Sequence, residues 1–198
     1  MKKIVLASGN AGKLREFAQI LAEFNFEVTP QSQFKVPDVE ETGLSFVENA
    51  LIKARNAAQH TGLPAMSDDS GIEVDALKGA PGIYSARFAG VGASDEQNNQ
   101  LLLEKLTGIA TAERTARYHC VIVYMRHAND PMPMIFQGSW EGVILEEPRG
   151  ENGFGYDPYF YVSTHKCSSA ELAPEVKNQL SHRGIALRAL QAALSTNK

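Results

Sequence analysis

Long apolar runs, paired cysteines and an excess of basic charge are all missing from this sequence, and each absence excludes a class of protein. No stretch approaches the roughly 20 consecutive apolar residues that a helix needs to cross a bilayer. The cysteines number two, Cys120 in a strand-like pattern and Cys167 in a polar stretch read as loop. With no Cys-x-x-Cys and no histidine at zinc-ligand spacing, a disulfide framework or zinc site is not expected, and a reducing cytoplasm is the natural setting. Lys and Arg total 19 against 23 Asp and Glu, a net charge of −4, so nothing draws the chain to a nucleic-acid polymer or an anionic membrane. Any phosphate has to be met by local positive groups. Met1-Lys2-Lys3 resembles the start of an export signal, but only four apolar residues follow before Ser8, too few for one.

Internal repeats and low-complexity tracts are absent as well. Hydrophobic residues make up 43% and charged residues 21%, which is ordinary for a globular chain and excludes disordered and fibrous classes. A length of 198 residues fits one domain, or one domain with two lobes, and is enough to bury a sizeable core.

Standard nucleotide and hydrolase signatures are incomplete. The dinucleotide fingerprint Gly-x-Gly-x-x-Gly does not follow the first strand, and no Gly-x-Ser-x-Gly elbow supports a Ser70, His182, Asp157 triad. The segment that is present instead is Ser8-Gly9-Asn10-Ala11-Gly12-Lys13, placed after the apolar strand Ile4 to Ala7 and before a helical pattern expected to begin at Leu14. At such a turn the first N–H groups and the dipole of the helix converge on one spot, and Gly12 and Lys13 add access and charge. It is not a Walker A loop, because two residues rather than four separate Gly9 and Gly12 and Leu14 stands where Ser or Thr would hold magnesium. Two readings fit the segment, a phosphate site whose metal is held elsewhere and an ordinary βα turn with a surface lysine.

Phe17, Ile20, Leu21 and Phe24 continue at helical spacing, and Phe26 to Thr29 reads as a second strand, giving a βαβ opening. Residues 31–43 read as loop. Ser45 to Glu48 has the spacing of a capping box for a helix ending near Gly62, with Val47, Leu51, Ala54 and Ala58 as its buried stripe and Asn49, Lys53 and Asn56 opposite. Ser94 to Gln97 opens another helix, which stops at Gly108. Residues 115–125 form a long strand that returns from the turn at Asn129-Asp130-Pro131 through Met134 to Phe136, and Tyr159 to Val162 is a short aromatic strand. The C-terminal helical spacing of Val176, Leu180, Leu187, Leu190 and Leu194 is broken at Ser181-His182-Arg183-Gly184, a helix boundary.

Several groups along this framework have chemical potential. Asp68-Asp69, expected at a break between two extended pieces, is either an acidic turn or a magnesium and base site. Successive residues of an extended segment face opposite ways, so one aspartate would face a site while the other is solvated or structural. Glu40-Glu41 either complements a helix dipole or supplies a second carboxylate. Phe154-Gly155-Tyr156-Asp157-Pro158 is either a core-anchoring aromatic turn or a platform for a planar ring. Arg183 is either a solvated residue beside a helix cap or a donor to a phosphate or carbonyl oxygen, and Lys53 and Lys177 are either surface residues or parts of a site.

Taken in order, Ser8 to Lys13, Glu40 to Gly43, Asp68 to Gly71, Gly79 to Arg87, Phe154 to Pro158 and Ser181 to Arg183 closely resemble the inosine/xanthosine triphosphate pyrophosphatase family, from Ile4 to about Leu194. The resemblance implies an α/β fold in which a long mixed β-sheet floors a cleft between two lobes of one domain, and a homodimer, with the strand 115–125 and its partner as candidates for the dimer surface. It also implies hydrolysis of ITP, dITP and XTP to the nucleoside monophosphate and pyrophosphate, through attack of magnesium-activated water on the α-phosphorus. On that likeness Asn10, Lys13 and Lys53 hold the triphosphate, with Ser8, Gly9, Ala11, Gly12 and Ser70 also at the substrate. Glu41 and Asp69 handle Mg2+, and Asp69 is the general base. Phe154, Gly155, Tyr156 and Asp157 enclose base and sugar, with Lys177, His182 and Arg183 completing the pocket. Donors aimed at a purine 6-oxo group would meet another donor in adenine's 6-amino group, which would exclude ATP. A non-catalytic nucleotide sensor would lack a metal carboxylate, and a phosphotransferase would carry a complete phosphate loop; the sequence has both carboxylates and not the loop.

Overall fold

The structure, a computed structural model, describes residues 2–21 and 26–196. Phe24, expected on the apolar face of the first helix, lies outside the described residues. The strands are β1 (Lys2–Leu6), β2 (Phe26–Pro30), β3 (Ala65–Val74), β4 (Thr115–Met125), β5 (Met134–Ile144), β6 (Phe160–Val162) and β7 (Cys167–Ser168). The helices are α1 (Ala11–Leu21), α2 (Phe46–Thr61), α3 (Asp95–Lys105), α4 (Pro174–Leu180) and α5 (His182–Thr196). One seven-stranded sheet has the order β2-β1-β3-β4-β5-β6-β7. β1 pairs in parallel with β2 and β3, whereas β6 pairs antiparallel with β5 and β7, so the sheet is mixed and the fold is α/β.

The chain divides into two compact units, residues 1–69, 120–138 and 183–198 in the first and residues 70–119 and 139–182 in the second. In the first unit the pleat of the strands sorts side chains between two helical layers. Ile4, Leu6, Met66, Cys120, Ile122 and Tyr124 pack with Phe17 and Leu21 of α1 and with Ala186, Leu187 and Leu190 of α5. The alternate residues Val5 and Ala65 pack with Ala57 and Ala58 of α2, and Val121, Val123 and Met125 pack with Ala50 and Ala54 of the same helix. Ile4 to Leu6 of β1 are therefore apolar without alternation, as a parallel strand covered on both faces requires. The second unit is built on Ile72, Val74, Leu102, Leu106, Tyr118, Trp140, Tyr156 and Phe160. Its aromatics cluster closely, with the Tyr118 ring stacked on His182 at 4.7 Å and 9°.

Several local expectations are corrected. α1 begins at Ala11, not Leu14, because Asn10 is its cap: Asn10 Oδ1 accepts from the Lys13 N–H at 3.0 Å and its C=O from the Leu14 N–H at 2.9 Å. The acidic pair lies at no break, since β3 runs unbroken for 10 residues through Asp68 and Asp69. Asn49 faces inward rather than outward on α2, buried with Ala50, Ala54, Ala57 and Ala58. Cys167 lies in β7 instead of a loop. β4 is the middle strand, buried from Cys120 to Met125, with Thr115 exposed and Arg117 and His119 half-buried at its other end.

Candidate functional site

The alternation along β3 decides what each aspartate meets. Asp68 shares a face with Met66 and turns toward α1 and α5, where Lys13 Nζ lies 3.0 Å and Arg183 Nη2 3.2 Å from its Oδ2. Arg183 also pairs with Glu16 of α1. Asp69 shares the face of Ala65 and Ser67 and turns toward α2: Lys53 Nζ lies 2.9 Å from Asp69 Oδ1 and 2.9 Å from Glu41 Oε1. Glu41 reaches this lysine because its loop is tied to the start of α2. The Gly43 N–H donates to Asn49 Oδ1 at 2.8 Å, and a Cβ on Gly43 would stand 2.5 Å from that of Glu48. Ser45 caps α2, and the Glu48 carboxylate returns to the Leu44 N–H at 3.0 Å and the Ser45 hydroxyl at 2.6 Å.

Electrostatics separate the two aspartates further. Burial alone would raise Asp68, but Lys13, Arg183 and Lys53 overcome it and hold the carboxyl well below the usual range. Burial raises Asp69, helped by the like charge of Glu41, and the attraction of Lys53 and Lys13 does not offset it. Lys53 is pulled down by burial and pushed up by Asp69, Asp68 and Glu41, and the carboxylates prevail. One ammonium thus serves several acids, and Asp69 is the aspartate whose proton affinity is raised.

Asp69 also decides whether a divalent cation fits. Its Oδ2 is buried and takes no partner among the described residues, a buried acceptor that a ligand would satisfy. No group of three or more His, Cys, Asp and Glu suited to a metal occurs among the described residues. Magnesium nevertheless suits this set, because one or two carboxylates suffice when substrate phosphates and waters supply the remaining oxygens. Glu41 and Asp69 would be those carboxylates.

The second unit carries the aromatic turn. Gly153 and Gly155 have φ of 83° and 62°, conformations that favour glycine. Asp157 closes the turn: its Oδ2 accepts from the Phe154 N–H at 2.9 Å and from Lys177 Nζ at 2.8 Å, and its Oδ1 from the Ser169 hydroxyl at 2.9 Å. Lys177 Nζ lies 5.2 Å from the centre of the Phe154 ring, a cation over an aromatic face. The Tyr156 hydroxyl donates to the Ser85 C=O at 2.7 Å, which fastens the turn to the 3-10 segment Gly82–Arg87.

The structure gathers Lys13, Glu41, Lys53, Asp69 and Arg183 in the first unit, and Phe154 to Asp157 with Lys177 in the second. Ser8, Gly9 and Asn10 form the turn before α1, Ala11 and Gly12 its first residues; Ser70 is a half-buried strand residue after Asp69. The helix boundary expected over Ser181 to Gly184 falls at Ser181, and His182, Arg183 and Gly184 lie in the first turn of α5. Arg183, expected with the base-recognition residues, has its guanidinium engaged by Asp68 and Glu16. Sequence reasoning missed Glu16, Asp95, Asn99 and Ser169, whose partners lie 167, 60, 56 and 12 positions away, beyond any local pattern.

Lysines set against carboxylates with an oxygen still to be satisfied suit a polyanion arriving with a divalent cation, and on a mixed α/β scaffold this defines an enzyme of phosphate-ester or anhydride chemistry. The Ham1 family pattern matches residues 4–193, and the chain belongs to that family. It is 64% identical over 195 residues to a dITP/XTP pyrophosphatase of Vibrio parahaemolyticus, covering 98% of each chain. Among solved structures it is similar to a HAM1 protein from Coxiella burnetii, with 52% identity, a TM-score of 0.91 and coverage of 99% of this chain and 100% of the other. A nucleoside-triphosphatase and dITP/XTP pyrophosphatase from Mycobacterium abscessus matches with 41% identity and a TM-score of 0.74, over 95% and 97% of the two chains.

Proposed function

We propose that this chain is a nucleoside triphosphate pyrophosphohydrolase that converts dITP, ITP and XTP to the monophosphate and pyrophosphate, removing non-standard purines from the nucleotide pool. The observation that carries the reading is the buried Asp69 Oδ2, without a partner among the described residues, beside a lysine shared with Glu41. Membership of the Ham1 family and 64% identity to a dITP/XTP pyrophosphatase support the substrate class.

In this reading the turn from Ser8 to Lys13, with Lys53, grips the triphosphate through ammonium groups and the first N–H groups of α1. Asp69 takes the proton of the attacking water; the new bond joins that oxygen to the α-phosphorus, the bond to the bridging oxygen breaks, and pyrophosphate leaves with the electron pair. Its raised proton affinity suits a base that must accept a proton near neutrality. Magnesium held by Glu41 and Asp69 would neutralise phosphate charge as a Lewis acid. Lys13 and Lys53 neutralise part of the same charge from the protein side. Phe154, Gly155, Tyr156 and Asp157, with Lys177, His182 and Arg183, hold the base and sugar, Arg183 from a place already committed to Asp68 and Glu16. A cytoplasmic homodimer completes the proposal; among the described residues no helix is long and apolar enough to cross a membrane.

Incubation with a panel of nucleoside triphosphates, with and without magnesium, tests this directly. Pyrophosphate from dITP and XTP, dependent on magnesium and far slower from ATP, is the expected result. Release of orthophosphate, or no product from any triphosphate, overturns it.

A further inference from the structure

Gly155 is held at both of its backbone polar groups by one helix. Its N–H donates to Asp95 Oδ2 at 2.7 Å and its C=O accepts from Asn99 Nδ2 at 2.9 Å. Asp95 and Asn99 stand four residues apart on α3, so their side chains share one face a turn apart. The grip falls where φ of 62° reverses the chain between Phe154, half-buried and facing Lys177, and Tyr156, buried with its hydroxyl on Ser85. α3 is itself anchored on the neighbouring position, since Asn98 accepts from the Ala89 N–H at 2.8 Å and donates to the Ala86 C=O at 3.3 Å.

Helix capping does not explain either residue. The N-terminus of α3 is already closed by a complete reciprocal cap, Gln97 N–H to Ser94 Oγ at 3.2 Å and Ser94 N–H to Gln97 Oε1 at 2.8 Å, which leaves the Asp95 carboxylate to bind across 60 residues. Asn99 is 7% exposed, and its carboxamide oxygen is buried with no partner among the described residues. Its orientation follows from the need of the Gly155 carbonyl for a donor, which forces the oxygen into a place that costs free energy. An apolar side chain would serve packing there without that cost. A built Cβ on Gly155 meets nothing within 4 Å, so the turn is set by backbone conformation and by this grip rather than by crowding.

We propose that Asp95 and Asn99 are positioning residues for purine recognition: by fixing both polar groups of Gly155 they set the angle at which Phe154 and the adjoining backbone meet the base. The inference rests on the reading of Phe154 to Asp157 as the base-binding turn. The phosphate-handling residues lie on other elements, so loosening the grip weakens substrate recognition and leaves the chemical step intact.

Steady-state kinetics of the full chain with dITP and dGTP test this. Asn99→Ala, Asn99→Asp, which keeps size but loses the donor, and Asp95→Ala should each raise KM for dITP about tenfold while kcat stays within about twofold, and should lower the preference for dITP over dGTP. Asp95→Asn, which keeps the acceptor, should return both values to those of the unaltered protein. A fall in Tm with unchanged KM and preference means a purely structural role and overturns the proposal. If the Asn99 variants do not fold, the exposed Asp95 pair decides by the same criteria. Phe154→Ala separates the two readings: a raised KM there with normal KM in the Asp95 and Asn99 variants overturns the positioning role alone. An unchanged KM in Phe154→Ala overturns the base-binding turn and the positioning role with it.

Discussion

Asp68 and Asp69 are consecutive, both buried, and committed to different helical layers, Asp68 to Lys13 and Arg183 and Asp69 to Lys53. Two residues of one type in one strand thereby have opposite proton affinities, Asp68 held ionised and Asp69 raised. On the proposed function Asp68 is the structural acid and Asp69 the chemical one, and their substitutions are expected to fail in different assays.

Asp69→Asn removes the proton acceptor and keeps the shape. Turnover of dITP is expected to fall by about 10² to 10⁴, with nucleotide affinity little changed. Single-turnover rates and equilibrium nucleotide binding check this together, and full activity in the variant would sink the assignment of the base.

Asp68→Ala removes the carboxylate that faces Lys13 and Arg183 and leaves Glu16 beside an arginine side chain that is 2% exposed. Removing one partner of a buried pair typically costs about 3–5 kcal/mol, and Glu16 keeps the loss toward the lower figure. Urea unfolding measures it; a midpoint equal to that of the unaltered protein contradicts the structural role.

Gly153→Ala would place a Cβ against the Asp157 carboxylate at φ of 83°. Left-handed strain alone costs on the order of 1–3 kcal/mol, and displacement of Asp157 loosens its bonds to Phe154 and Lys177. A lower Tm together with a higher KM for dITP is expected, whereas a lower Tm alone would separate the turn from substrate binding.

Asp75 gives a pH signature apart from the candidate site. Hydrogen bonds from Arg117 at 2.7 and 2.9 Å, and then from the Thr115 hydroxyl at 2.6 Å, lower its carboxyl from 3.8 to about 2. The folded state binds this proton less readily than the unfolded one, so the stabilisation is complete above about pH 4 and is lost as the pH falls toward 2. Urea midpoints for the unaltered protein and Asp75→Asn should differ at pH 6 and converge on acidification, and a constant difference would refute the assignment.

Legibility in the sequence followed the range of the interactions. Ser94 and Gln97 announced the α3 cap because a capping box is a four-residue pattern, and the structure contains both of its bonds. Residues 115–125 were readable as a strand from β-branched and aromatic content, and β4 has those bounds. The start of α1 was misplaced at Leu14 because an asparagine before a helix does not announce by itself that it is the cap, and here Asn10 caps α1. Asn49 misled because its polarity suggested solvent, whereas the Gly43 N–H needed an inward acceptor.

The sequence by itself determined the α/β class, the turn before α1, the carboxylates and aromatics able to do chemistry, and the family likeness. Each of these is written in short-range pattern and residue type. Only the tertiary structure decided which aspartate is braced by Arg183 and which shares a lysine with Glu41, and that α3 grips Gly155. Those outcomes depend on which helix covers which face of a strand and on contacts spanning tens to more than a hundred residues. Local propensity carries no information about partners at that distance.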